Sequence, residues 1–488
     1  MSGFMIGHYP LEAFLFGIAL MMLLSIISSK ASAWIGVPGL LLFLGVGMLA
    51  GSEGPGGIEF TNYSLAYVIG SISLIFILFD GGMGTNWGKV RPVLGTGLAL
   101  STLGVVFTCV LIGVFCHYVF WMDWPEALLL GAIVSSTDAA AVFSILRSKS
   151  LELKGTLKSV LELEAGSNDP MAIFLTTVLL QFATQQQVGA GSVVLALLLQ
   201  ALLGGALGYL GGRATVWIFN SMRVDYDGLY HVLLISLVLL VFSVTALVGG
   251  SGFLAVYVAG LVIGNSNVLR KQSICIFQDG LAWMAQISLF VVLGLLVFPS
   301  HLTQVWREGI MLALFMMFVA RPVSVLLAAP LGLRGWAPRL FVSWVGLRGA
   351  APIILAILPW ASAFPRAEYL FNLVFFVVLF SVFFQAPTIS WLAGRLGIVE
   401  AAAAVTPKDQ TFLPQGFVTM NLIVGAESLA VGKRTVDLAL PAGVLLISLE
   451  RSQRFSVPRG ETVFEPLDRI VALGRPSNQD ELKRIFGN

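Results

Sequence analysis

Residues 157–182 read Leu-Lys-Ser-Val-Leu-Glu-Leu-Glu-Ala-Gly-Ser-Asn-Asp-Pro-Met-Ala-Ile-Phe-Leu-Thr-Thr-Val-Leu-Leu-Gln-Phe. The run is long enough to cross a bilayer core, which needs roughly 20 apolar residues as a helix. Yet it carries Glu162, Glu164 and Asp169. It is one of thirteen such windows before residue 400: 11–28, 34–50, 63–80, 93–117, 126–146, 157–182, 190–219, 229–248, 252–267, 281–298, 309–332, 339–360 and 368–394. Composition agrees. The 488 residues are 57% hydrophobic and 11% charged, with a net charge of +2, whereas soluble domains carry about 25% charged residues. An ordinary cytosolic enzyme, a disordered chain and a nucleic-acid binder are all excluded by this balance. The expected fold is an all-α polytopic membrane protein of about thirteen transmembrane helices.

Basic residues orient it. Fourteen, from Lys30 to Arg395, fall in one alternate set of connections, against Arg307 and Arg366 in the other. The positive-inside rule then puts the N-terminus outside and the C-terminus in the cytoplasm. The first span has no basic residue ahead of it, so it is expected to stay in the mature protein. Beyond residue 400 the composition changes. A linker over 401–411 leads into 412–488, and the chain after residue 400 holds 10 of the 28 basic and 9 of the 26 acidic residues. Strands are expected at Phe417–Val424, Val444–Leu449 and Arg469–Leu473, and helices at Ser428–Leu440 and Gln479–Phe486, making a small cytoplasmic α+β domain.

Ionisable groups inside spans cost about 2.5–3.5 kcal/mol each on insertion scales and mark ion or proton paths. Asp138 lies in the fifth span, Glu162, Glu164 and Asp169 in the sixth, Arg321 in the eleventh and Arg348 in the twelfth. Glu162 and Asp169, seven apart, share a helical stripe; Glu164 and Asp169, five apart, diverge by about 140°. One acid can thus enter a structural ion pair, with Arg348 as the expected partner of Glu164, while another faces an aqueous cavity. Arg321 could pair similarly or reach an interface, and Glu162 could sit at a solvated mouth. Pro170 leaves the Gly166 carbonyl without its intrahelical donor, beside Asn168 and Asp169, and Pro352 does the same for Arg348. Freed carbonyls are oxygen ligands of the kind hard cations take, and interrupted helices mark secondary-transporter sites. In the fifth span, Ser135-Ser136-Thr137-Asp138 adds hydroxyls and a carboxylate.

Four motifs in order, Phe79-Asp80-Gly81-Gly82, Thr137-Asp138, Glu164-Ala-Gly-Ser-Asn-Asp-Pro170 and Gly346-Leu-Arg-Gly-Ala350, resemble those of NhaP-type monovalent cation:proton antiporters. The likeness is greatest to their potassium/proton, cell-volume-regulation branch, and covers residues 1–400. It implies NhaA/NhaP-like inverted repeats with interrupted, crossing helices. It also implies Asp169 as the carboxylate that holds cation or proton, and Thr137 and Asp138 lining the site on the crossing helices. Asn168 would hold Asp138 or its helix, and Glu164 would pair with Arg348. Asp80, Glu162 and Arg321 are supporting or access positions. Where many relatives have serine after the glutamate this chain has Ala165; Ser167 is the substitute oxygen, on another face of the helix. The tail resembles the C-terminal half of an RCK (TrkA-C) domain, which implies a regulatory module with a nucleotide ligand. The resemblance also implies a homodimer serving pH and volume homeostasis.

The mechanism expected is alternating access without a cofactor. One carboxylate binds K+ (or Na+) or H+, never both, because the two compete for one negative charge; the empty charged site crosses slowly because burying it is costly. Asn168 replaces the adjacent acid of Asp-Asp antiporters, so the exchange is expected to be electroneutral. The alternative is a sodium- or proton-coupled solute symporter. A channel would need a filter such as TVGYG, and an intramembrane aspartyl protease a GxGD motif; neither is present. The chain is not read as an enzyme.

Overall fold

Backbone groups that leave water must be satisfied within their own segment, and the apolar windows do this as helices. The computed structural model describes the chain except residues 1–4, 7–8, 36–38, 150, 186–189, 223–225, 329–332, 334, 363, 402–417, 426–427, 452–453 and 488. It has two units, Met1–Ala402 and Ala403–Asn488.

The first unit runs α1 (Leu11–Ile35), α2 (Gly39–Ala50), α3 (Tyr63–Gly84), α4 (Trp87–Phe120), α5 (Trp124–Ile133), α6 (Ala139–Ser148), α7 (Leu157–Gln185), α8 (Ala190–Ser221), α9 (Asp227–Leu247), α10 (Gly252–Gly264), α11 (Lys271–Leu295), α12 (Trp306–Ala328), α13 (Trp336–Trp344), α14 (Ala350–Leu355) and α15 (Ala367–Arg395). Among the described residues seven helices are long and apolar enough to cross a membrane alone. The pairs α5/α6 and α13/α14 each fill one apolar window, broken in the middle. Two groups of helices emerge. In one, α3 packs on α10 and α11, and α2 on α11; in the other, α4, α5 and α7 pack together with α12 beside α4.

The second group is internally doubled. Helix α4 widens into a π-turn at Leu100–Gly104 and α12 into another at Met316–Ala320. The Thr108 hydroxyl lies 2.7 Å from the Gly104 carbonyl and that of Ser324 2.6 Å from the Ala320 carbonyl, and the two hydroxyl oxygens meet at 2.9 Å across 216 residues. Each copy then continues into a broken helix. These are the expected repeats; they begin in the fourth and eleventh windows, and the odd offset of seven inverts one against the other.

A short antiparallel pair, β1 (Leu151–Leu153) with β2 (Val399–Ala401), ties the segment after α6 to the end of α15. Both segments therefore lie on one face of the membrane, which requires an even number of crossings between them; the eight windows from the sixth to the thirteenth supply it.

Backbones meet most closely where side chains are absent. A Cβ on Gly294 of α11 would lie 2.9 Å from the Gly47 Cα of α2, whereas one on Gly280 of the same helix meets nothing within 4 Å. Backbone cannot yield as a side chain can, so overpacking here costs about 1–3 kcal/mol. Gly294→Ala should lower the thermal midpoint of the detergent-solubilised protein. Gly280→Ala should hold or raise it, since alanine gains up to ~1 kcal/mol of helix propensity. Equal midpoints would discount the contact.

The second unit is a four-stranded antiparallel sheet, in the order β3 (Val418–Ile423), β6 (Arg469–Gly474), β4 (Leu445–Arg451), β5 (Arg454–Ser456), followed by α16 (Gln479–Phe486). Period-two alternation places Met420, Leu422, Ile470 and Ala472 in its core with Phe464 and Phe486. The helix expected over Ser428–Leu440 does not form. Gly432 takes a φ of +74°, and Val431 and Arg434 bridge instead to Phe464 and Val463, leaving only a 3-10 turn at Thr435–Asp437. Arg451 holds Asp468 with two bonds, 2.8 and 2.7 Å. Burial alone would raise the Asp468 carboxyl; the Arg451 guanidinium and the Glu465 N–H outweigh it and hold the group below the ordinary carboxylate value.

Candidate functional site

Two helices stop near each other and their unwound segments pair. After α5 the chain is non-helical through Asp138, and after α13 through Gly349. The Asp138 N–H donates to the Leu347 carbonyl (2.8 Å), so one break satisfies the other. The breaks fall in the fifth and twelfth windows. Contrary to expectation, Pro170 interrupts nothing: it sits inside the continuous α7. Nor does Pro352 make the twelfth break; it lies in the first turn of α14, where its missing N–H would have had no intrahelical partner anyway. The fifth window breaks without proline because its hydroxyls compete for the backbone, as in the Ser135 Oγ bond to the Ala132 carbonyl (2.6 Å).

Helix α7 passes the crossing and serves both sides of it. Asn168, buried, donates from Nδ2 to the Thr137 carbonyl (3.0 Å) and hydroxyl (2.6 Å). It therefore holds the first break rather than the Asp138 carboxylate. The Ser136 hydroxyl donates to Asp169 Oδ1. Asp138 lies against Gly349: a Cβ there would sit 2.6 Å from Asp138 Oδ2, so the approach needs glycine.

The arginines divide otherwise than expected. Glu164 pairs with Arg321, Oε1 to Nη2 at 2.5 Å, both groups buried. Arg348 does not form the ion pair with Glu164; its Nη1 donates to the Ser135 and Ser136 carbonyls, each at 2.6 Å. Geometry decides this. Arg348 sits in the second break and reaches the carbonyl end of α5, where a cation is favourable. Arg321 reaches Glu164 across Gly346, where a Cβ would lie 2.9 Å from its Nε.

A cavity of about 60 Å³ opens between the two helix groups. Ser136, Asp138 and Asp169 line one side, with Gly349, Ala350 and Ala351; Leu74, Ile77, Leu289, Phe290 and Gln286 line the other. Its volume suits a few waters or one partly dehydrated monovalent ion. Thr137, Asn168, Glu164, Arg321 and Arg348 frame the cavity without lining it. Ser167 is half-buried on α7 and does not line it either. Glu162 is farther out, 4.0 Å from Lys158. Asp80 stands apart on α3, within electrostatic range of Asp279 on α11.

The arrangement is a carboxylate facing a small chamber at a crossing of broken helices. Residues 16–395 match the family described as sodium/hydrogen exchanger, transmembrane. The chain belongs to that family. Residues 420–487 match the TrkA-C domain. The K(+)/H(+) antiporter NhaP of Alkalimonas amylolytica is 37% identical over 475 residues, covering 96% of this chain and 83% of the relative. The K(+)/H(+) antiporter NhaP2 of Shewanella oneidensis is 38% identical over 480 residues, covering 97% and 83%. The structure of the sodium proton antiporter MjNhaP1 of Methanocaldococcus jannaschii shares the fold, with a TM-score of 0.67 and 24% identity over 78% of this chain and 99% of that one.

Within this exchanger, sequence reasoning missed two polar residues of the chamber. In the sequence Ser136 is one hydroxyl of a run, next to Thr137-Asp138. Gln286 gave no signal beyond being an amide within an apolar helix.

Proposed function

We propose that the protein is a secondary antiporter exchanging K+ for H+, one for one, with Asp169 as the shared carboxylate. The observation that carries this is the charge balance at the crossing. Asp138, Glu164 and Asp169 set three negative charges against the two positive charges of Arg321 and Arg348. One charge is left over, and one monovalent cation or one proton neutralises it. Both bound states are then neutral, whereas the empty site must cross as an uncompensated buried charge, which is unfavourable. That difference couples the two ions. Thr137, Asn168 and Ser136 hold the geometry, and Glu164–Arg321 and Arg348 fix the background charge.

Potassium is favoured over sodium because the two relatives spanning nearly the whole chain bear potassium/proton antiporter names. A symporter for an organic solute is disfavoured by a cavity of about 60 Å³. Residues 1–400 form the exchanger in this reading, with a linker at 401–411 and a regulatory domain at 412–488 that takes a nucleotide. The protein works as a homodimer in the bacterial inner membrane, its N-terminus outside and its C-terminus in the cytoplasm.

Purified protein in vesicles with an internal pH dye tests the reading. Potassium alone should collapse an imposed pH gradient, and an imposed membrane potential should not bias the exchange. A clear voltage effect would refute the stoichiometry, and a requirement for an organic solute would favour symport. In the same assay, truncation after residue 400 should preserve exchange and change its pH or ion dependence; unchanged dependence would make the tail a passive module.

A further inference from the structure

The chamber's two walls differ in chemistry. The wall built from the breaks and α7 supplies a hydroxyl and two carboxylates; the wall from α3 and α11 is aliphatic and aromatic, with one exception. Gln286 lies on α11, three and four residues before Leu289 and Phe290, so the three share one helix stripe and reach the cavity together. It is half-buried, and its amide makes no hydrogen bond among the described residues. A half-buried amide without a protein partner, facing a chamber with two carboxylates opposite, calls for a ligand.

We propose that Gln286 Oε1 is a cation ligand contributed from the α3/α11 wall, and that it sets the preference for potassium over sodium. The proposal rests on Asp169 being the exchange site. A cation entering about 60 Å³ must shed most of its hydration shell, and hard cations replace that water with oxygen ligands. The opposite wall offers Asp169, Asp138 and Ser136. An amide oxygen adds a ligand without adding charge, so the one-charge balance survives. It also approaches from across the chamber. The larger potassium ion spans the gap and takes more ligands; sodium is satisfied closer to the carboxylate wall. Since α11 packs with α2 and α3 while Asp169 travels with α7, a cation held from both sides would also link the two helix groups.

The test uses the full chain in vesicles, with K+ and Na+ titrated separately. Gln286→Leu removes the oxygen and keeps the bulk. Its half-saturating potassium concentration should rise about tenfold, sodium's by less than about threefold, and the maximal rate should stay within about twofold. Gln286→Glu keeps an oxygen in place and adds a charge; it should hold or lower the potassium half-saturation and make exchange respond to an imposed potential. The proposal is overturned if Gln286→Leu leaves both half-saturations unchanged, or raises both equally while the maximal rate falls, as a packing defect would. Should the leucine variant fail to reconstitute, the glutamate variant decides: exchange still blind to potential at a higher potassium half-saturation overturns the idea. Asp169→Asn runs alongside. If it still exchanges, the Asp169 reading has failed; if it is inactive while Gln286→Leu matches wild type, only the ligand proposal has.

Discussion

Asp169→Asn yields a protein that folds and inserts but moves no protons in response to potassium. Asparagine keeps the shape of the side chain, and its Oδ1 can still accept the Ser136 hydroxyl, so the crossing should hold together. What disappears is the charge. A unit pair at about 4 Å is worth ~4 kcal/mol at the effective dielectric of partly buried sites, and every 1.4 kcal/mol is tenfold in binding. Cation affinity should fall on the order of a thousandfold for that reason alone, and an amide cannot carry the proton back. Dye-loaded vesicles at matched reconstitution measure the outcome, with thermal midpoints showing that the fold survives. Cation-driven proton flux above the empty-vesicle background would place the exchange site elsewhere, and the charge balance at the crossing would lose its meaning.

Much of this was legible in the sequence for a simple reason. Bilayer thickness and the exclusion of charge from lipid act on every residue, so apolar windows and the carboxylates inside them stand out locally. The helix breaks did not, because they depend on distant partners. Pro170 looked like an interruption, yet α7 is continuous. The fifth window looked helical, yet it breaks where Asp138 N–H finds a carbonyl on residue 347. A local reading sees the unsatisfied group and cannot see what satisfies it. The arginines repeat the lesson. Helical phase correctly sent Glu164 and Asp169 to different neighbours, but the choice between Arg321 and Arg348 turned on the missing side chain of Gly346. In the tail, alternation disclosed the strands, whereas the helix expected over Ser428–Leu440 gave way to bridges that only the folded domain provides.

The choice of arginine is open to measurement, and the effect should be large. Removing one member of a buried ion pair leaves the other charge without compensation, at about 3–5 kcal/mol, whereas removing both can be close to neutral. Arg321→Ala should therefore lower the thermal midpoint sharply and abolish exchange, since an unpaired Glu164 also adds a negative charge to the crossing. Glu164→Gln combined with Arg321→Gln should recover most of the midpoint. Contacting residues couple by about 0.5–3 kcal/mol, so the Glu164–Arg321 cycle should lie high in that range. The Glu164–Arg348 cycle should be clearly smaller, because Arg348 spends its Nη1 on the Ser135 and Ser136 carbonyls. Arg348→Gln should still stop transport, through a different defect: the end of α5 loses its cation and two buried carbonyls lose their donor. Midpoints in detergent for the singles and doubles separate the cases. Larger coupling between Glu164 and Arg348 than between Glu164 and Arg321 would restore the pairing the sequence suggested, and with it a different distribution of fixed charge around Asp169.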